Sequence, residues 1–135
     1  LQALEQMPHQ SNYPDVLHCK LVLLFTIGKM HEVVATAQEA ATVARERALL
    51  QNLYFAQRCN TSAQGMIGLP MERLAAEAAN VASTFAEPHT QLQRNHFAYQ
   101  LSVAATLRGE FDWAMRFEQE YMSDWKKFTT LHRRV

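Results

Sequence analysis

The chain of 135 residues is poor in the residues that punctuate, staple or charge a fold. It carries four glycines, four prolines and two cysteines, and its thirteen basic residues are balanced by thirteen acidic ones. A formal charge of zero removes the bulk attraction to nucleic acid or to an anionic membrane surface, so neither is expected as a partner. The longest apolar run, residues 21–27, is far short of the ~20 residues that span a bilayer. The first residues, with Glu5 and Pro8, do not read as a signal peptide. Cys19 and Cys59 match no zinc spacing and no CxxC motif. Both fall in apolar helical stretches, where buried, inert thiols are expected. The setting these features suggest is cytoplasmic.

What is present is helix. Apolar residues make up 48% of the chain, enough for a real core, and no strand-period alternation of useful length occurs. The glycines stand at three points about forty residues apart: Gly28, the pair Gly65 and Gly68, and Gly109. Each point separates an apolar helical stretch from a second, alanine-rich one. This pattern predicts an all-α domain of three helical hairpins, none able to bury its own apolar face alone.

Residues 1–14 read as a tail or capping segment with a polar linker over 8–14. The hairpins are expected over about 15–49, 50–87 and 90–135. In the first, Pro14 and Asp15 suit an opening turn, helix A covers 16–27, and helix B runs from about His31 to Leu49. Val33, Ala37, Ala40, Ala44 and Ala48 form a stripe of small side chains on that second helix. In the second, helix A covers about 50–63, residues 64–70 form a longer turn, and helix B carries Met71, Leu74, Ala78, Ala82 and Phe85. Pro88 breaks the chain and Thr90 suits an N-cap. In the third, Phe97, Ala98, Leu101, Ala104 and Ala105 form the apolar side of helix A, and the turn is Arg108-Gly109-Glu110.

The third hairpin resembles a tetratricopeptide (TPR) repeat. Ala98, Leu101, Ser102 and Ala105, then Gly109-Glu110-Phe111, Ala114, Phe117 and Tyr121, follow that family's order of small and large positions. The resemblance covers about thirty residues and is degenerate around Gly28 and Gly68. It implies a TPR-like α-solenoid of three stacked hairpins with an extended C-terminal helix. The spacing of about forty exceeds the standard repeat of about 34. HEAT-type repeats have a longer period, but they give no reason for the Gly-Glu-Phe turn followed by Ala114. Degenerate repeats with alanine-rich second helices and a final helix entering a basic stretch also look like regulatory regions preceding a GGDEF diguanylate cyclase domain in bacterial signalling proteins. The cyclase motif itself does not occur in these residues. Because the chain begins at Leu1 and its last periodic stretch runs to Val135, the expectation is a segment of a longer protein.

That last stretch, from Phe111 to Val135, is about 37 Å long if wholly helical. Tyr121, Trp125, Phe128 and Leu131 continue its apolar stepping past the point where a repeat ends. As a continuous exposed patch they call for a cap or for pairing, so 122–135 is the expected signalling or dimerisation helix of a homodimer. Glu110 and Asp112 at its start and Lys126, Lys127, Arg133 and Arg134 towards its end complement the macrodipole.

Chemistry is not indicated. None of the six histidines has a second histidine or cysteine at helical ligand spacing, so no metal is expected. No glycine loop cradles phosphate, and no cofactor is implied. The neighbours of His96 lack the pattern expected after a phosphotransfer histidine, and no nucleophilic triad or carboxylate pair suggests an enzyme. The TPR resemblance places a concave groove on the first helices. On the third hairpin it points to His96, Tyr99, Val103 and Thr106, and the same offset from Gly28 gives Asp15, His18, Val22 and Phe25. In the middle hairpin Phe55, Arg58 and Ser62 are the counterparts, with Arg58 available to a carboxylate of a peptide or small acid. The expected partner is a protein or peptide, or a small ligand. The expected role is a sensory or regulatory module acting on a C-terminal output domain through dimerisation, the alternative being a constitutive interaction scaffold without switching.

Overall fold

Three-residue connections, each built around one left-handed residue, set the architecture. A computed structural model of the chain describes residues 7–84 and 91–121. Among these residues there are six α-helices and no strand: α1 (Tyr13–Thr26), α2 (Met30–Glu46), α3 (Leu50–Ile67), α4 (Met71–Thr84), α5 (Gln91–Leu107) and α6 (Phe111–Tyr121), preceded by a 3-10 turn, Met7–His9. Residues 27–29, 47–49, 68–70 and 108–110 connect α1 to α2, α2 to α3, α3 to α4 and α5 to α6.

Gly28, Gly68 and Gly109 have positive φ, at 81°, 130° and 75°. Around Gly28 the Lys29 N–H donates to Leu24 O at 3.0 Å and the Gly28 N–H to Phe25 O at 3.2 Å. These bonds satisfy carbonyls that the helix end would otherwise leave open. The turn after α5 repeats the pattern, Glu110 N–H to Ala105 O at 2.8 Å and Gly109 N–H to Thr106 O at 3.0 Å. The turn after α2 has the same bonds, Leu49 N–H to Ala44 O at 2.8 Å and Ala48 N–H to Arg45 O at 3.2 Å, but its left-handed residue is Ala48, at φ 54°.

Two sequence expectations change here. Ala48 is an exposed turn residue and not the end of the alanine stripe, because α2 stops at Glu46. Gly65 lies inside α3, which runs four residues further than expected and leaves a turn as short as the others. A Cβ built on Gly65 would lie 2.8 Å from Leu74 Cδ2 and 3.1 Å from Cδ1. The absence of a side chain there admits α4, whereas Gly68 makes the turn.

The chain divides into two compact units, Leu1–Ala63 and Gln64–Val135, with the division inside α3. In the first, Leu21 and Leu24 of α1 pack with Val33, Ala37 and Ala41 of α2 and with Ala56, Cys59 and Ala63 of α3. Small side chains on α2 let helices approach closely, while fully buried Leu21 contributes on the order of 2 kcal/mol of apolar transfer. The 3-10 turn is tied to this unit by Arg47, whose guanidinium donates to Pro8 O and Gln10 O at 2.8 Å each. The Tyr13 hydroxyl donates to Glu39 Oε1. Residues 8–14 are therefore not a free linker: α1 starts at Tyr13, with Pro14 in its first turn.

In the second unit Met71, Leu74, Ala78 and Val81 of α4, Phe97, Ala98, Leu101, Ala104 and Ala105 of α5, and Ala114 and Phe117 of α6 are buried. The expected stripe on α4 is present through Ala78, with Ala82 half-buried and Val81 taking the buried place; Phe85 lies outside the described residues. Arg108, in the turn after α5, donates to Gly65 O at 3.2 Å and Leu69 O at 2.5 Å. It closes the carbonyl end of α3 much as Arg47 closes that of the 3-10 turn.

The hairpins around Gly28 and Gly109 share part of their buried register, although Phe97, Leu101 and Ala104, buried on α5, correspond to the exposed Val16, Lys20 and Leu23 on α1. Pro14, Leu17, Leu21 and Leu24 precede Gly28 by the intervals at which Asn95, Ala98, Ser102 and Ala105 precede Gly109, and all are buried. Val33 and Thr36 follow Gly28 as Ala114 and Phe117 follow Gly109, and these too are buried. The larger residues of one hairpin thus occupy the positions of smaller ones in the other.

Candidate functional site

The first helices of these two hairpins expose matching positions. On α5, His96, Tyr99 and Thr106 are exposed and Val103 is half-buried; on α1, Asp15, His18 and Val22 are exposed and Phe25 is half-buried. Tyr99 leaves 59% of its surface in solvent. The α5 positions recur at steps of three and four, so one side of the helix carries an imidazole, a phenol and a hydroxyl in a row. The Thr106 hydroxyl donates to its own helix, to Ser102 O at 2.8 Å. What remains for a partner on this side is the Tyr99 ring with its polar tip, beside the exposed His96.

The middle positions are different. Phe55 of α3 is half-buried and stacked with His18 of α1, with ring centroids 3.9 Å apart and planes at 26°. Arg58 and Ser62 are buried, at 6% and 0% exposure, so neither lies on an open face. Burial runs around much of α3, where Tyr54, Ala56, Cys59, Thr61 and Ala63 are buried as well, so its polar side chains are carried inward with the apolar ones. The Arg58 guanidinium carbon lies 5.2 Å from the Phe55 ring centroid and 5.7 Å from that of Tyr54, two cation–π contacts that offset part of its desolvation. Burial pulls the Arg58 pKa down from its ordinary value, opposed by smaller contributions from Cys59 and Tyr54. Arg58 is thus a buried cation inside an aromatic setting.

The thiols also divide. Cys59 is buried, and desolvation raises it to about 11 despite the nearby Arg58 charge. At neutral pH it is a protonated, unreactive thiol. Cys19 is exposed on α1, which corrects the expectation that both thiols are interior. Among the described residues no three His, Cys, Asp or Glu side chains gather as metal ligands. None of the described helices is long and apolar enough to cross a membrane.

Sequence reasoning missed the surface at the α5–α6 turn. Leu107, Phe111 and Met115 are 75%, 63% and 58% exposed. The TPR resemblance places Phe111 and Ala114 together at the start of the second helix, but of the two only Ala114 is buried, with Phe117 after it. The phase of the helix held the signal, since Phe111 and Met115 lie one turn apart on a side away from Ala114 and Phe117. Trp113 is half-buried, tilted against Phe117 at 5.9 Å, with the Arg116 guanidinium 4.0 Å over its ring. Of the expected pairing residues, Tyr121 ends α6, and Trp125, Phe128 and Leu131 lie outside the described residues.

The chain was also compared with known proteins. No family model matches it, and no curated protein or solved structure does either.

Proposed function

We propose that this chain is a non-catalytic interaction module of the TPR-like kind, built of stacked helical hairpins. It binds a protein, a peptide or a small ligand along the exposed sides of its first helices. Its last helix pairs two copies and so conveys binding to an output domain, of the diguanylate cyclase type, in a cytoplasmic bacterial signalling protein. The observation that carries the reading is the part of the register that the Gly28 and Gly109 hairpins share: Leu17, Leu21 and Leu24 are buried where Ala98, Ser102 and Ala105 are, and Asp15 and His18 are exposed where His96 and Tyr99 are. Repetition of this sort multiplies a binding surface without building a reaction centre. The protonated Cys59 thiol and the covered Arg58 guanidinium argue in the same direction, because neither is poised for chemistry.

For switching, the ligand must favour one arrangement of the last helix over another, since equal affinity for both shifts nothing. The test is the solution mass over a concentration series, by light scattering, for the 135-residue chain and for Trp125→Glu. A dimer converted by the substitution into a folded monomer supports pairing through the last helix. A monomer in both cases removes the switching element and leaves a constitutive scaffold.

A further inference from the structure

Gly28, Gly68 and Gly109 give the three hairpins a common origin for counting. Twelve, eight and five residues before them stand Val16, Lys20 and Leu23 on α1, Ala56, Asn60 and Ala63 on α3, and Phe97, Leu101 and Ala104 on α5. Steps of four and three put each set on one side of its helix. On α5 all three are buried, and on α3 Ala56 and Ala63 are buried and Asn60 half-buried. This side of α5 meets the hairpin before it, since a Cβ on Gly65 of α3 would stand 3.5 Å from the Ala104 Cβ. On α1, the first helix of the first hairpin, all three are exposed, Leu23 at 60%.

The second helices show the converse. Two, six and nine residues after the glycines stand Met30, Val34 and Ala37 on α2 and Phe111, Met115 and Glu118 on α6. The α2 residues join the apolar cluster that also holds Ala56 and Ala63 of α3, the first helix of the next hairpin. Their counterparts on α6 are all exposed. The chain therefore brings this pair of faces together once internally, and leaves the same pair open on α1 and α6. A repeat array that stands alone closes with polar outer faces. These two are apolar except for one charge each, Lys20 on α1 and Glu118 on α6. Two α1 faces, or two α6 faces, would set like charges into one interface, whereas α1 on α6 joins opposite ones.

We propose that Val16, Lys20 and Leu23 of one copy dock on Phe111, Met115 and Glu118 of a second, repeating between chains the α2–α3 cluster formed within one. The contact uses the hairpin register that supports the reading above and none of the last-helix pairing. Because the two faces are unlike, it closes two copies into a ring or extends head to tail.

The experiment mixes two variants of the 135-residue chain and follows mass by light scattering over a concentration series. Leu23→Glu disables the α1 face and leaves the α6 face, and Met115→Lys does the reverse. Each alone is expected to associate about tenfold more weakly than the parent. An equimolar mixture regains one intact pair of faces, so it is expected to be heavier than either variant at the same total concentration. Pairing through the last helix gives no such gain, being the same in both variants. Circular dichroism checks that each variant stays helical, and Lys20→Glu or Glu118→Lys replaces one that does not. Variants as heavy as the parent throughout, a mixture no heavier than its components, or a monomeric parent overturns the contact. If a dimer persists in both variants, gains nothing on mixing and is lost in Trp125→Glu, pairing through the last helix stands and this contact falls.

Discussion

Replacing Ala48 by glycine should stabilise the protein, although alanine is the best helix former and the substitution removes a methyl group. Ala48 sits at φ 54°, where an L side chain crowds the following carbonyl and costs roughly 1–2 kcal/mol. Glycine removes that cost but loses more freedom on folding, a penalty of about 0.4–1 kcal/mol. Ala48 is exposed, so no packing is lost. The net gain is about 1 kcal/mol, or roughly 3–5 °C in Tm for a chain of this size. Gly28→Ala in the same unit is the reciprocal control. Its added Cβ would meet nothing within 4 Å, so only the backbone term at φ 81° acts, and a loss of about 1 kcal/mol is expected. Urea unfolding followed by circular dichroism, with slopes compared between variants, measures both. If Ala48→Gly is neutral or destabilising while Gly28→Ala is destabilising, then Ala48 does not hold the left-handed position and the equivalence of the turns fails.

Gly65→Ala tests the other use of glycine. At an unobstructed helical site the change gains about 1 kcal/mol, but here the new Cβ meets the fully buried Leu74, and overpacking of about 1–3 kcal/mol should leave a net loss of about 1 kcal/mol in urea unfolding. Stabilisation would mean that Leu74 yields freely. At pH 8 a thiol reagent should label Cys19 rapidly and Cys59 only on unfolding; rapid labelling of both would remove Cys59 from the core. Burial raises Cys59 to about 11 from 9.0. Burial, with the Glu39 carboxylate, raises Tyr13 to about 12 from 10.0. Both native pKa values lie above the unfolded ones, so their contribution to stability is complete below about pH 9 and is lost as pH rises through about 11 and 12. Urea midpoints measured from pH 8 to 12 should fall, and Tyr13→Phe should flatten the upper part of that fall.

The helical class and most of the helix ends were legible in the sequence because they follow from local rules. Gly28 and Gly109 stop helices for lack of a Cβ, Pro14 opens one, and Val33, Ala37 and Ala44 mark the buried side of α2, with Ala41 and not the expected Ala40 completing it. Those effects act within a turn or two of the chain, so spacing alone reveals them. The partition of neighbouring residues of like kind was not legible. Gly65 and Gly68 look equivalent in sequence, yet one admits Leu74 and the other turns the chain. Cys19 and Cys59 look equivalent too, as do Arg58 and an open-face cation, until the covering of α3 decides which are buried. Ala48 gave no local warning, because its left-handed conformation is imposed by helices that pack on either side of it. Sequence by itself determined where the backbone can bend and which stretches can be helical, since sterics and periodicity are short-range. Tertiary structure alone decided which side of each helix meets a neighbour and which, like Phe111 and Met115, is left to water, because burial depends on helices distant in the chain.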